Sequence, residues 1–540
     1  MDLPFLLHHL CLSSSSSDEP RPSPPLPPIT ELLSGLRQQL IGASSSESET
    51  SPLIGQLEQV FGEADPHWLF TPPTSSSQEE EGGVERWAEL VSVYMGLTEA
   101  LIGCAALPLW KDDTSPPSEL AYQNVPVRAE PVCSALTTLL GTLGNWEEKG
   151  GVRGAGGGAR GLLLSVAPQV CVFAITHVQP QAWTSSSSRA AARRLQVALL
   201  RAGPWRDSAH MLMADGGGGG AVGILGGVLD VLQPQLNRDQ WWRCDGVRLV
   251  FTWTLLQVTR PSVSAHLPRL LPPSLLLTDH YRPENCMLGV GCLHHIVLNV
   301  APADLRQFNR AEVLYQALFR HLYSTDAVVV KVILACLFDL LLVLEKPPSS
   351  LGPASSSLSP ASSSRRKPCR HDDVIRLVLT HMEAEHKVAL RRVYASALSQ
   401  YVDRMGVALC RHLRRLERVV LGYLEVSDPP EETSRIQILE VLQKTVKAAW
   451  PRMESRLDAL LRCLLRLLVD VSSDSQLSDP VKQRLMNQSA RSLQLLDACS
   501  QGTLRCRLLQ VDDTCCSSDV LRCLATVTEA AGGAAPDGSV

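Results

Sequence analysis

Apolar residues in this chain recur at the period of an α-helix along most of its length, and almost nowhere at the period of a strand. In ENCMLGVGCLHHIVLNV (284–300), Cys286, Val290, Leu293, Val297 and Val300 fall three or four positions apart and make one stripe. VVVKVILACLFDLLLVL (328–344) is apolar nearly throughout, but Lys331 and Asp339 interrupt it and it is slightly short for a membrane span. It reads as a buried helix. Leucine dominates these stretches and aromatics are only 5 % of the chain, a balance that favours helices over sheets. Helices are expected near 31–41, 84–106, 129–145, 161–178, 187–202, 223–234, 247–259, 284–300, 310–322, 326–345, 372–382, 385–403, 406–425, 431–449, 452–472, 479–499 and 518–531. The fold class is all-α.

Low-complexity stretches punctuate the helices. Those at 13–28, 44–52 and 72–83 are rich in Ser, Pro and Glu and bury too little apolar surface to order themselves. KGGVRGAGGGARG (149–161) and DGGGGGAVG (215–223) read as flexible loops. The expected organisation is an N-terminal region with Ser/Pro linkers (1–83), helical repeats with Gly-rich loops (84–240) and HEAT-like repeats (241–345). A disordered Ser/Pro-rich insert (346–369), C-terminal helical repeats that bind a partner (370–532) and a disordered tail (533–540) complete it.

Two stretches share one plan. Residues 267–297 run from a Pro- and Leu-rich helix through Asp279 to a second apolar helix. Residues 308–344 repeat it, with Asp326 at the turn and Leu337 in the place of Leu293. Paired helices resume around 372–403 and 406–449. A two-helix unit of about 40–47 residues is the mark of HEAT and armadillo arrays, so the chain is expected to form an α-solenoid. One departure is Asn285-Cys286, where a HEAT repeat often has Val-Arg.

Candidate chemistry fails on geometry. Cys286 and Cys292 stand six apart and His294 and His295 are adjacent, so one helix cannot aim all four at one ion. Gly156, Gly158 and Gly161 match G-x-G-x-x-G but lack the preceding strand and the later acidic residue. HMEAEH (381–386) spaces its histidines by five rather than four. No catalytic, metal or cofactor site is expected, and the chain is not expected to be an enzyme. The charge balance of 50 basic against 55 acidic residues gives nucleic-acid binding no global support. No membrane association is expected. MDLPFLLHHLCLSSSSS begins with an acidic residue and is broken by His8 and His9, unlike a signal peptide. Cysteines are scattered through apolar stripes (Cys171, Cys336, Cys410, Cys463) or paired as Cys515–Cys516, without a disulfide framework, which suggests reduced thiols inside a cell.

The densest basic region lies in RHLRRLERVVLGYLEV (411–426). Leu409, Leu413, Leu416, Val420 and Leu424 form the buried stripe, with Arg411, Arg414, Arg415 and Arg418 on the other side and Arg391, Arg392 and Arg404 nearby. Either Glu417 and Glu425 balance these cations along the helix, or the four arginines are a docking face for an acidic partner. Further on, Trp450-Pro451 suits a helix start, and Leu457, Leu460, Leu461, Leu464, Leu467 and Leu468 make a broad face that neighbours or a partner must cover.

Long collinear blocks carry a resemblance: VFAITHVQPQAWTSSSSRAAARRL (172–195), FTWTLLQVTRPSVSAHLPRLLPPSLLL (251–277), residues 284–323, RRLERVVLGYLEVSDPPEE (414–432) and WPRMESRLDALL (450–461). Over roughly 160–510 the chain resembles the Tti-two family of Tel-two-interacting proteins. That resemblance implies a HEAT-type solenoid that binds Tti-one directly and joins Tel-two in the Triple T complex. It also implies work with the ninety-kilodalton heat-shock chaperone and the RuvB-like ATPase co-chaperone on phosphatidylinositol-3-kinase-related kinases (mTOR, ATM, ATR, DNA-PK), in the cytoplasm and also the nucleus. The other reading is a generic armadillo- or HEAT-type peptide-binding adaptor, although no asparagine ladder supports it.

Overall fold

Each helix begins and ends where its sequence allows. α1 (Ile29–Ala43), α2 (Glu47–Glu63), α3 (Gly83–Cys104), α4 (Val125–Glu148), α5 (Gly158–Val178) and α6 (Ser186–Ala202) come first. Ser185 and Ser188 close a capping box at the start of α6, and Gly203 ends it. α7 (Leu225–Leu232), α8 (Asp245–Gln257) and α9 (Ser262–Thr278) follow. Then come α10 (Pro283–Asn299), α11 (Arg310–His321), α12 (Ala327–Leu344), α13 (Arg370–Ala384) and α14 (Val388–Met405). The series closes with α15 (Leu413–Glu425), α16 (Thr433–Ala449), α17 (Leu457–Ser473), α18 (Asp479–Cys499) and α19 (Ser518–Glu529). Asp326 starts α12 by accepting the N–H groups of Val328 and Val329 at 2.8 and 3.2 Å. This computed structural model describes residues 27–43, 47–72, 83–148, 158–214, 222–348, 368–511 and 517–529. Among them the only β-contact is a single bridge at Val222.

The chain divides into two compact units, Met1–Pro273 and Ser274–Val540, a division that falls inside α9. In the first unit α1 pairs with α2, α3 with α4 and α5 with α6. The first members stack on one another as α1–α3–α5 and the second as α2–α4–α6, with α7 and α8 packed on α5. In the second unit α11/α12, α13/α14, α15/α16 and α17/α18 are hairpins. Their second helices stack in the order α10–α12–α14–α16–α18–α19, and α13, α15, α17 and α19 stack in turn in the other layer. Within each unit the helices of a hairpin thus meet each other and their counterparts one repeat away, the packing of an α-solenoid.

The helical stripes are the core. Cys286, Val290, Leu293, Val297 and Val300 are all buried. So are Leu337, Leu340 and Leu341 of α12, each worth about 1.5–3 kcal/mol relative to exposure. The apolar run of α12 is therefore covered by α10, α11 and α14. Asp339, its interior acid, takes His294 at 2.9 Å and Arg404 at 3.6 Å from the helices on either side. Polar rungs of this kind continue along the second helices. Lys444 of α16 reaches Asp403 and Ser399 of α14 at 2.7 and 2.8 Å, and Gln443 reaches Gln488 of α18 at 2.7 Å.

Gly289 is required by the crossing of α9 and α10. A Cβ there would stand 2.2 Å from the backbone nitrogen of Thr278, inside any tolerable contact.

Several expectations need correction. Residues 44–52 were expected to stay unordered, yet α2 begins at Glu47 and carries Pro52 within it. Its later residues Ile54, Leu57, Val60 and Phe61 are buried, and that packing holds the polar first turns. The Gly-rich stretch 149–161 gives way to α5 at Gly158, so Gly158 and Gly161 are helical while Gly156 lies outside the described residues. The single helix expected over 406–425 is broken: Gly406, with φ of 49°, ends α14, a 3-10 turn covers Gly406–Arg411, and α15 starts at Leu413. Trp450-Pro451 opens a 3-10 turn rather than the helix, which starts at Leu457. The insert at 346–369 lies outside the described residues over 349–367, as do the tail, Cys515–Cys516 and the first 26 residues.

Candidate functional site

The four arginines occupy two structural settings. Leu409, Leu413, Leu416, Val420 and Leu424 are buried as the stripe requires, which turns Arg411, Arg414, Arg415 and Arg418 outward. Arg411, in the 3-10 turn, lies 3.5 Å from Asp372, which also takes His412 at 3.0 Å. Arg415 and Arg418 share Glu383, at 3.4 and 3.1 Å, and Arg415 also donates to Thr380 at 3.0 Å. Arg414 is exposed and has no ion-pair partner among the described residues.

Arg411, Arg415 and Arg418 are thus balanced from the neighbouring repeat. Asp372 and Glu383 belong to α13, the counterpart of α15 one hairpin earlier. Glu417, expected to serve its own helix, pairs with Arg456 at the entrance to α17. The nearby arginines are structural. Arg391 is buried with its guanidinium carbon 3.8 Å from the ring centre of Tyr423. Arg392 bonds the buried Asp428 at 3.0 Å and Glu431 at 3.3 Å, and Arg404 holds Asp339. Sequence reading missed these roles because each partner lies tens of residues away. The approximate repeat length was the signal that could have found them.

A cleft of about 310 Å³ opens between α12, α14 and α16, lined by Lys331, Phe338, Arg392, Gln400, Tyr401 and Gln437. It lies on the stacked second helices, where sequence reading placed nothing.

The other motifs resolve into packing. Cys286 and Cys292 are buried in the core, His294 serves Asp339 and His295 lies beside Asn299 at 3.4 Å. His381 meets the Tyr394 hydroxyl at 3.1 Å. The described cysteines are all free. Burial pushes the Cys171 thiol up to about 12 and those of Cys286 and Cys463 to about 11, so they behave as small apolar groups. The broad leucine face of α17 is buried against α15, α18 and α19.

Stacked helix pairs of this length make each unit an α-solenoid of HEAT type. The profile of the Tti2 family matches residues 231–429. Human TELO2-interacting protein 2 is 42 % identical over 378 residues, 70 % of this chain and 72 % of the human protein. The mouse protein of the same name is 42 % identical over 371 residues, 68 % of this chain and 70 % of its own. The chain belongs to the Tti2 family. Among solved structures, Kap121p aligns with a TM-score of 0.40 at 12 % identity, over 96 % of this chain and 49 % of Kap121p. Importin beta aligns at 0.38 and 11 %, over 98 % and 62 %.

Proposed function

We propose that the protein is a non-catalytic scaffold subunit of the Triple T complex. In this reading it binds Tti-one directly and Tel-two through the assembly. With the ninety-kilodalton heat-shock chaperone and the RuvB-like ATPase co-chaperone, it assembles and stabilises phosphatidylinositol-3-kinase-related kinases, mTOR, ATM, ATR and DNA-PK among them. It acts in the cytoplasm and the nucleus. The observation that carries the reading is the 42 % identity with human TELO2-interacting protein 2 over 72 % of that protein. A solenoid suits the task because it offers a long surface while each repeat needs only its neighbours.

Arg411, Arg414, Arg415 and Arg418 are the proposed docking face for an acidic surface of the partner. Of the four, Arg414 is the one without an ion-pair partner among the described residues. The test is co-expression of the full chain with Tti-one, followed by size-exclusion chromatography. Co-elution in a stable complex supports the reading; a folded chain eluting alone overturns it. A second reading, a peptide-binding adaptor, is favoured by the cleft between α12, α14 and α16. It would bind extended peptides with no need of Tti-one.

A further inference from the structure

Between Glu148 and Asp207 the chain carries eight basic residues and no acidic one. The whole chain has a formal charge of −5, so everything outside this stretch carries −13. The stretch spans the α5–α6 hairpin, and half of its cations fall on α6 as Arg189, Arg193, Arg194 and Arg201. Helical arginines find acids on their own helix or on the counterpart one repeat away, as Arg415 and Arg418 find Glu383. α6 has neither source. It contains no carboxylate, and α4, its counterpart, has no acidic residue between Glu130 and Glu147.

The two helices lie side by side in the same direction. The Ser187 hydroxyl donates to Glu130 near their starts, and near their ends a Cβ on Gly144 would stand 3.3 Å from Cα of Ala202. The middle of α6 therefore runs along the uncharged middle of α4. Acids at the edges are engaged elsewhere: Glu130 with Ser187, Asp207 with Arg206 at 2.9 Å, while Glu147 is the acid on which Arg160 acts. Arg193, Arg194 and Arg201 are exposed, and none of the four arginines of α6 has an ion-pair partner among the described residues. Arg193, Val197 and Arg201 follow one another every four residues and make a ridge, with the two arginine stems about 12 Å apart along the axis. Val197, between them, is 45 % exposed.

We propose that this ridge of α6 is a docking surface for an acidic segment of a partner protein, whose carboxylates pair with Arg193, Arg194 and Arg201. Arginine offers a carboxylate two parallel donors and is enriched among the residues that carry interface energy. Affinity for nucleic acid grows with the number of phosphates neutralised, and three arginines on a chain otherwise at −13 neutralise few. An apolar side chain at the centre of the ridge also suits a peptide, which can set an apolar residue between its carboxylates, where a phosphate backbone offers only charge. The surface is formed by α6 alone and stands whether or not the chain joins the Triple T complex.

The experiment follows the fluorescence anisotropy of a labelled peptide of Glu-Glu-Leu repeats as full-length protein is added at low salt, beside its Gln-Gln-Leu counterpart and a labelled oligo-dT. The acidic peptide is expected to bind more tightly than either. Arg193→Glu and Arg194→Glu should each weaken it about fivefold or more. Arg238→Glu makes the same charge change at an exposed arginine beyond α7, and should weaken it less than about twofold. All three variants are expected to melt with wild type, since none of these arginines has an ion-pair partner among the described residues. No binding by wild type, equal binding of the Glu and Gln peptides, or equal losses at Arg193 and Arg238 overturns the proposal. Tighter binding of oligo-dT than of the acidic peptide overturns the protein partner and makes the ridge a nucleic-acid contact.

Discussion

Glu345 receives Arg370 twice, from the guanidinium at 2.7 Å and from the backbone N–H at 3.0 Å, across 25 positions of sequence. The same guanidinium reaches Glu312 at 2.7 Å. These bonds draw together the two ends of the segment that contains residues 349–367, so α12 and α13 do not depend on it for their register. Replacing 349–367 by a short Gly/Ser linker is expected to leave the urea midpoint almost unchanged, because loop length enters closure entropy only logarithmically. Arg370→Ala should lower stability by about 1 kcal/mol in low salt, and by less at high salt. Both effects are read from urea unfolding at two ionic strengths.

Two glycines of α10 should respond in opposite directions. Gly289→Ala drives a methyl into the backbone of Thr278 and is expected to cost several kcal/mol, about the size of an overpacked core site or more. Gly291 has nothing within 4 Å of its would-be Cβ, so Gly291→Ala should stabilise by up to about 1 kcal/mol. Thermal melting of the two variants beside wild type checks the pair.

The periodic stripes were legible in the sequence because burial writes itself into every third or fourth residue. All the expected helices have counterparts, and in the plan shared by 267–297 and 308–344 the second helices, α10 and α12, stack on one another. What escaped was set by distance. The partners of Arg415, Arg418 and Glu417 lie one repeat away, and no local pattern names them. α2 escaped because its first turns are Ser/Glu-rich and only its second half carries the apolar side chains that anchor it. The break at Gly406 escaped because apolar periodicity continues through it in Leu409 and Leu413. His177 gave no signal at all, since its burial, with no partner for Nδ1 among the described residues, is a property of the folded core.

The docking face should separate into two kinds of residue. Arg414→Glu is expected to weaken association with Tti-one at least fivefold without moving the melting temperature. Arg415→Glu and Arg418→Glu place a carboxylate beside Glu383, and should lower the melting temperature as well as association. Parallel melting curves and binding titrations distinguish the two patterns. Equal losses of association and stability at all three positions would argue against a docking role for the face.

His177 also predicts a pH dependence. Burial pushes its pKa down to about 4, from the ordinary value near 6.5. Below pH 6.5 the unfolded chain takes up a proton that the folded chain refuses until pH falls to about 4, so stability is lost as pH drops through that window. Moving from pH 7.5 to pH 5 should cost on the order of 2 kcal/mol through this group. His177→Phe should remove that share, read as a smaller difference between urea midpoints at the two pH values.

Three of the rungs that join the second helices span 41 to 45 residues, His294 to Asp339, Ser399 to Glu440 and Gln443 to Gln488, while Asp339 to Arg404 is longer because the segment 346–369 intervenes. Among the described residues no rung of the second helices reaches past the neighbouring hairpin. A hairpin leaving the ribosome therefore finds its counterpart already made, and the protein can be completed in the order in which it is translated.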